Sequence, residues 1–163
     1  PGEWPAAEGV ADVPVQGFTF AADESAVGST VEGFQEAGSG EVDVTAADFL
    51  IGVGRGIGEQ EHLSLVEDLA AATGATVAAS RPLVDKGWFD TSRQVGQSGK
   101  TVSPDVYLAI GISGAVQHVT GIKGADTIVA INTDPHAPIF DIADVAIVGD
   151  LFEVVPELTD RLR

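Results

Sequence analysis

Phe49-Leu50-Ile51-Gly52-Val53-Gly54 is the stretch on which the fold turns. It is a short, continuous apolar run closing on glycines, the sign of a strand buried on both faces. Residues 59–73 follow, with Leu63, Val66, Leu69 and Ala70 on one helical face and Gly74 as a stop. Acidic residues in the first turn of that segment suit the positive end of a helix dipole. Further apolar, β-branched runs come at 76–80 (TVAAS), 106–112 (VYLAIGI), 127–132 (TIVAIN) and 145–150 (VAIVGD), each ending in Gly, Ser, Asn or Asp. Helical candidates separate them at 82–86, 114–121, near 138–143 and at 151–162. Five strands alternating with helices predict an α/β protein: a doubly wound, mainly parallel sheet with helices on both faces and right-handed crossovers.

Towards the amino terminus the character changes. Residues 1–14 (PGEWPAAEGVADVP) have no helical or strand period and read as a linker. Residues 15–20 and 30–34 alternate as short strands do, and 43–48 (DVTAAD) read as a turn with Thr45 capping it. The expected division is an N-terminal linker and irregular or antiparallel arm over 1–47, then one compact domain over 48–163. The opening Pro-Gly lacks an initiator Met, which suggests a processed product or an excised fragment.

A chain of 163 residues with 44% apolar content suits one globular domain with a sizeable core. No apolar run approaches the ~20 residues of a membrane span, and no signal peptide is visible. With no Cys there are no disulfides or thiolate metal sites, in keeping with a reducing cytoplasm. The net charge of −17 repels nucleic acid and anionic membranes. Docking on a basic partner is one reading of it. Acids spread along the whole chain and only three Lys favour another, adaptation to high salt, where the Debye length falls to about 3 Å at 1 M. A halophilic source and reduced stability in dilute buffer are expected.

In parallel sheets of this type, ligands bind outside the carboxyl ends of the strands. Every predicted strand ends there in a polar or glycine cluster: Gly54-Arg55-Gly56, Ser80-Arg81, Ser113-Gly114-Ala115, Asn132-Thr133-Asp134 and Asp150-Leu151. A single polar strand end is usually a helix cap, whereas five around one crevice point to a ligand. Arg55 lies among glycines at a helix entrance, a place that suits a pyrophosphate. Neither Gly52 nor Gly54 starts a G-x-G-x-x-G in register, so a nicotinamide site is poorly supported. Residues 94–101 (QVGQSGKT) end like a P-loop, but Gln94 stands where the first glycine belongs and no buried strand precedes. The loop still suits a polar, planar or phosphorylated ligand, since its glycines permit close approach and Gln97 and Ser98 offer donors and acceptors. His118 falls one turn into a predicted helix facing the crevice. His62 and His136 have no partners at metal-ligand spacing, and no nucleophilic triad or carboxylate pair stands out.

Four long stretches carry a family resemblance: GRGIG (54–58), ASRPLVDKGW (79–88), QVGQSGKTVSPDVYLAIGISGAVQHVTGIK (94–123) and IVAINTDPHAPIFDIADVAIVGDLFEVVPEL (128–158). They resemble the C-terminal FAD-binding domain of the electron transfer flavoprotein alpha subunit, and the amino-terminal arm matches weakly. The resemblance implies a six-stranded Rossmann-like sheet of the deoxyhypusine-synthase type over 48–163, with FAD as cofactor. The family's first domain, which packs with the beta subunit, is not in this chain. By position, the family implies that Arg55 contacts the cofactor and that Ser80 and Arg81 form its SR pair, with the guanidinium against the isoalloxazine. Val95, Gly96, Gln97 and Ser98 match the loop lining the ring, with the Ser98 hydroxyl at N5. Ser113, Gly114, Ala115, Val116, Gln117 and His118 match a strand-to-helix segment that brings His118 near the pyrimidine carbonyl. Asn132 matches a ribityl or phosphate contact, and Asp150 and Leu151 the adenosine end.

The chemistry of these residues agrees with those roles. Reduction puts negative charge on the N1–O2 edge of a flavin, where a cation at Arg81 and a donor at His118 stabilise it. The expected function is an electron carrier rather than an enzyme, taking electrons from flavoprotein dehydrogenases to a membrane quinone reductase in the cytoplasm, with the beta subunit as partner. Two alternatives remain open: a nicotinamide- or thiamine-linked α/β enzyme domain, and a module that holds no flavin without the beta subunit.

Overall fold

A computed structural model of the protein describes Gly17 and residues 42–163. The candidate strands at 15–20 and 30–34 and the linker over 1–14 lie outside the described residues, Gly17 apart. Five strands are present among the described residues: β1 (Phe49–Val53), β2 (Thr76–Ala79), β3 (Val106–Ile110), β4 (Thr127–Asn132) and β5 (Val145–Val148). The resemblance implied six. All are parallel, in the order β2-β1-β3-β4-β5. The helices are α1 (Leu63–Thr73), α2 (Arg81–Asp85), α3 (Val116–Val119) and α4 (Leu151–Leu162), with short 3-10 turns between. No helix among the described residues is long and apolar enough to cross a membrane.

Period-two alternation within the strands builds a core on each face of the sheet. Leu50, Tyr107, Ala109, Ile128 and Ala130 face one side, against Val95, Val102, Ile122 and Ile139. Ile51, Val53, Leu108, Ile110 and Ile131 face the other, against Leu63, Val66 and Leu69 of α1, Leu83 of α2, and Leu151 and Val155 of α4. The sheet is thus doubly wound, and β1 and β3 at its centre are almost wholly buried. β5, at one edge, differs: Val145 and Val148 are exposed, whereas β2 at the other edge keeps Ala78 and Ala79 buried.

The first helix begins later than its pattern predicts. Residues Gln60–His62 form a 3-10 turn ahead of α1, so the acidic residues of the predicted first turn precede the helix proper. Gly74 ends α1 in a left-handed conformation, φ 72°, as a C-terminal glycine should. In the 43–48 turn it is Asp43 that accepts, from the Thr45 amide at 2.9 Å and from its hydroxyl at 2.6 Å.

Candidate functional site

The strand order places a topological switch between β1 and β3: the chain runs outward to β2 and then returns past β1 to lay down β3. At such a point the loops diverge and leave a crevice at the carboxyl ends. Its floor is main chain. The Gly54 amide donates to the Ile110 carbonyl at 2.9 Å, and the Gly56 amide to the Gly111 carbonyl at 3.0 Å. A Cβ at Gly54 would strike the Gly111 carbonyl, and one at Gly56 would lie 2.7 Å from the Gly111 Cα. Any side chain at either position would pry the two loops apart. The Ser80 amide on Val53 (2.9 Å) and the Val95 amide on Ala79 (3.0 Å) extend the same lacing outward.

Three adjoining chambers follow this edge. The central one, about 530 Å³, is walled by Gly54, Arg55, Gly56, Ser80, Ser113, Ala115, His118 and Asn132, among others. Ser80 and His118 also line a second chamber of about 170 Å³, completed by Arg81, Val95, Gly96, Gln97, Ser98 and Gln117. Gly56 and Asn132 also line a third, of about 250 Å³, that reaches Asp150 and Leu151. Two residues of the expected set do not line them. Gly114, at φ 87°, is pressed against the Ile139 backbone, and Val116 is 75% exposed.

The 94–101 loop is folded on itself. The Gly96 amide donates to Lys100, the Lys100 amide to Gln94, and the Gln97 amide to the Gln117 carbonyl at 2.7 Å. Gln94 is buried and its Nε2 donates to the Ser98 hydroxyl at 3.0 Å. The residue that breaks the P-loop pattern therefore braces the loop, a role that spacing alone did not signal. Because Ser98 accepts from Gln94, its own proton is free to be donated into the second chamber.

The polar residues differ in how far the protein has already committed them. Asn132 bridges β4 to the loop that follows β3, giving Nδ2 to the Ile112 carbonyl (2.9 Å) and accepting the Asp134 amide at 3.0 Å. Asp150 accepts the Phe152 amide and caps α4. Ser80 precedes α2 without a side-chain cap, and its hydroxyl has no partner among the described residues. Arg55 is exposed and forms no salt bridge among them. Arg81 lies along α2, with Nε 3.4 Å from Asp85 and both side chains more than 60% exposed. Such a pair is worth about 0.3–0.5 kcal/mol, so it holds the guanidinium only weakly.

His118 is a buried titratable group of the site, only 7% exposed. Its Nε2 lies 2.9 Å from the Tyr107 hydroxyl, and its Nδ1 has no hydrogen-bond partner among the described residues. Burial holds the imidazole pKa down at about 4, against a smaller opposing pull from the Val95 backbone, so the ring is neutral at neutral pH. Tyr107 is absent from the expected set, since its place in an apolar strand reads as core.

Residues 43–123 match the family model described as the electron transfer flavoprotein FAD-binding domain. Protein FixB of Azotobacter vinelandii is 56% identical over 117 residues, covering 72% of this chain and 32% of its own length. The electron transfer flavoprotein subunit alpha of Mycobacterium leprae is 52% identical over 121 residues, 74% of this chain and 38% of its own. That of Paracoccus denitrificans is 52% identical over 120 residues, 74% and 39% respectively. The chain spans about a third of the length of these relatives. With the parallel sheet, these matches lead to one conclusion: the chain belongs to the electron transfer flavoprotein alpha-subunit family.

Proposed function

We propose that this chain binds FAD along the carboxyl edge of its sheet. In this reading it serves as the flavin-holding part of an electron transfer flavoprotein, passing electrons from flavoprotein dehydrogenases to a membrane quinone oxidoreductase. The observation that carries the reading is the crevice at the β1/β3 switch, whose polar side chains keep unused hydrogen-bonding capacity. The central chamber of about 530 Å³ falls within the ~300–1,000 Å³ usual for cofactor sites. Ser80, Arg81, Gln97, Ser98 and His118 gather around one end and suit a planar, polar ring. Arg55, beside the glycine floor, suits a diphosphate. Asp150 and Leu151 stand at the far end, where an adenosine would fit.

Bound flavin would supply the redox chemistry, and the protein would bind and tune it. Arg81 brings positive charge to the ring end, and Ser98 offers a donor whose direction Gln94 sets. Neutral His118 lines both chambers at that end and adds a polar imidazole edge that suits a heterocyclic ring. The beta subunit is the proposed partner, and the absence of Cys suits a cytoplasmic setting.

Titration of the purified chain with FAD tests the binding. The expected result is a yellow, equimolar complex with quenched flavin fluorescence, whose potential is moved from that of free FAD. A chain that stays colourless both alone and with a beta subunit, yet binds a nicotinamide dinucleotide, would overturn the reading.

A further inference from the structure

We propose that Tyr107 is a positioning residue that holds His118 in its Nδ1–H tautomer, and so decides which nitrogen of the imidazole beside the crevice carries the proton.

Tyr107 sits in β3 with its side chain fully buried. Its hydroxyl is 2.9 Å from His118 Nε2, while the ring centroids are 6.0 Å apart and inclined at 55°. The contact is therefore made through the polar atoms and not by stacking. In the sheet Tyr107 pairs with Leu50, yet its hydroxyl reaches Gly52, two residues further towards the carboxyl edge. A Cβ at Gly52 would collide with that hydroxyl. The strand next door is thus hollowed by one glycine to let the phenol run along the sheet to the histidine.

Hydrogen-bond accounting selects the tautomer. A neutral imidazole has one N–H and one acceptor nitrogen, and a phenol has one proton to donate. If His118 donated from Nε2, the phenol proton would be buried without an acceptor among the described residues and Nδ1 would be an unpaired acceptor. If Tyr107 donates to Nε2, the phenol is satisfied and a single group remains open, the Nδ1–H. The second arrangement leaves one buried group unpaired in place of two and is favoured. Ionisation offers no escape, because burial pushes the Tyr107 pKa far up and the His118 pKa down to about 4.

The test uses the flavin-free chain with 15N-labelled histidine, at pH 7.5, reading the tautomer of each imidazole from long-range 1H–15N correlations. His118 is identified by the signal lost in His118→Gln. The expected result is a protonated Nδ1 and a pyridine-type Nε2, with Tyr107→Phe moving the ring to the other tautomer or to a mixture. An Nε2–H ring in the wild-type chain would overturn the proposal even if the variant failed to fold, and so would a tautomer unchanged in folded Tyr107→Phe.

Discussion

Two hollows of nearly equal size lie on opposite parts of this domain. The central chamber at the carboxyl edge of the sheet measures about 530 Å³, and a second hollow on the flank, beside β2 and α1, about 500 Å³. On the flank, Trp88 and Phe89 meet Arg93 and Asp90. Arg93 Nη1 donates to the Val77 carbonyl at 2.7 Å, and Asp90 accepts the Ser92 amide at 2.8 Å. At the edge, Ser80, Arg55 and His118 Nδ1 have no protein partner among the described residues. Volume does not separate the two hollows, but unspent hydrogen-bonding capacity does. The flank is where a loop is fastened down; the edge is where the protein stops short of satisfying itself.

Acid is the strongest way to set them apart. The folded pKa of His118, about 4, lies below the ordinary 6.5, so between these values the unfolded chain carries the extra proton. The contribution is complete above pH 6.5 and is lost as pH falls towards 4, by about 3 kcal/mol. Urea denaturation at pH 7.5 and 4.5 should show that loss, and His118→Gln should flatten it. An equal loss in the variant would mean that the edge holds no such group.

Next in size is Gly54→Ala, which places a methyl against the Gly111 carbonyl and should cost about 1–3 kcal/mol. Thermal melting would read the loss, and FAD titration should show at least ten-fold weaker binding. Undisturbed FAD affinity would show that the glycine floor is only structural.

Arg93→Ala on the flank removes a charged hydrogen bond and should cost about 1.5–2 kcal/mol at every pH, with FAD affinity unchanged. A marked drop in affinity would erase the contrast between the hollows. The smallest effect on stability belongs to Arg81→Ala, which breaks an exposed pair and should cost about 0.5 kcal/mol or less. Its signal is expected elsewhere, in a lower potential of bound FAD by redox titration. An unchanged potential would leave Arg81 a surface residue.

Much of the fold was legible because each buried strand is a run of apolar residues ended by a small or polar one. β5 was legible as a strand from VAIV, but its exposure was not, since sheet order and not local pattern decides which strand lies at the edge. In the candidate site, Ser80 could be read because it follows a strand end directly, and His118 because it falls one turn into the helix predicted after β3. Tyr107 could not: its link to His118 spans eleven residues and depends on a glycine in the neighbouring strand. Gln94 was seen only as a missing glycine, although it is the residue that orients Ser98. The Arg81–Asp85 pair stands at helical spacing and was available to the eye, but it carries meaning only once α2 begins at Arg81.

The main-chain floor under the edge has a kinetic signature. The amides of Gly54, Gly56, Ser80, Val95 and Gly111 are all bonded to neighbouring strands or loops, so the shape of the cavity is established by folding and not by its occupant. In deuterated buffer these amides should exchange slowly before any cofactor is added, whereas the exposed Ser98 amide, which has no acceptor among the described residues, should exchange fast and slow down on binding. Such a protein would pass between its empty and loaded forms on a stationary base.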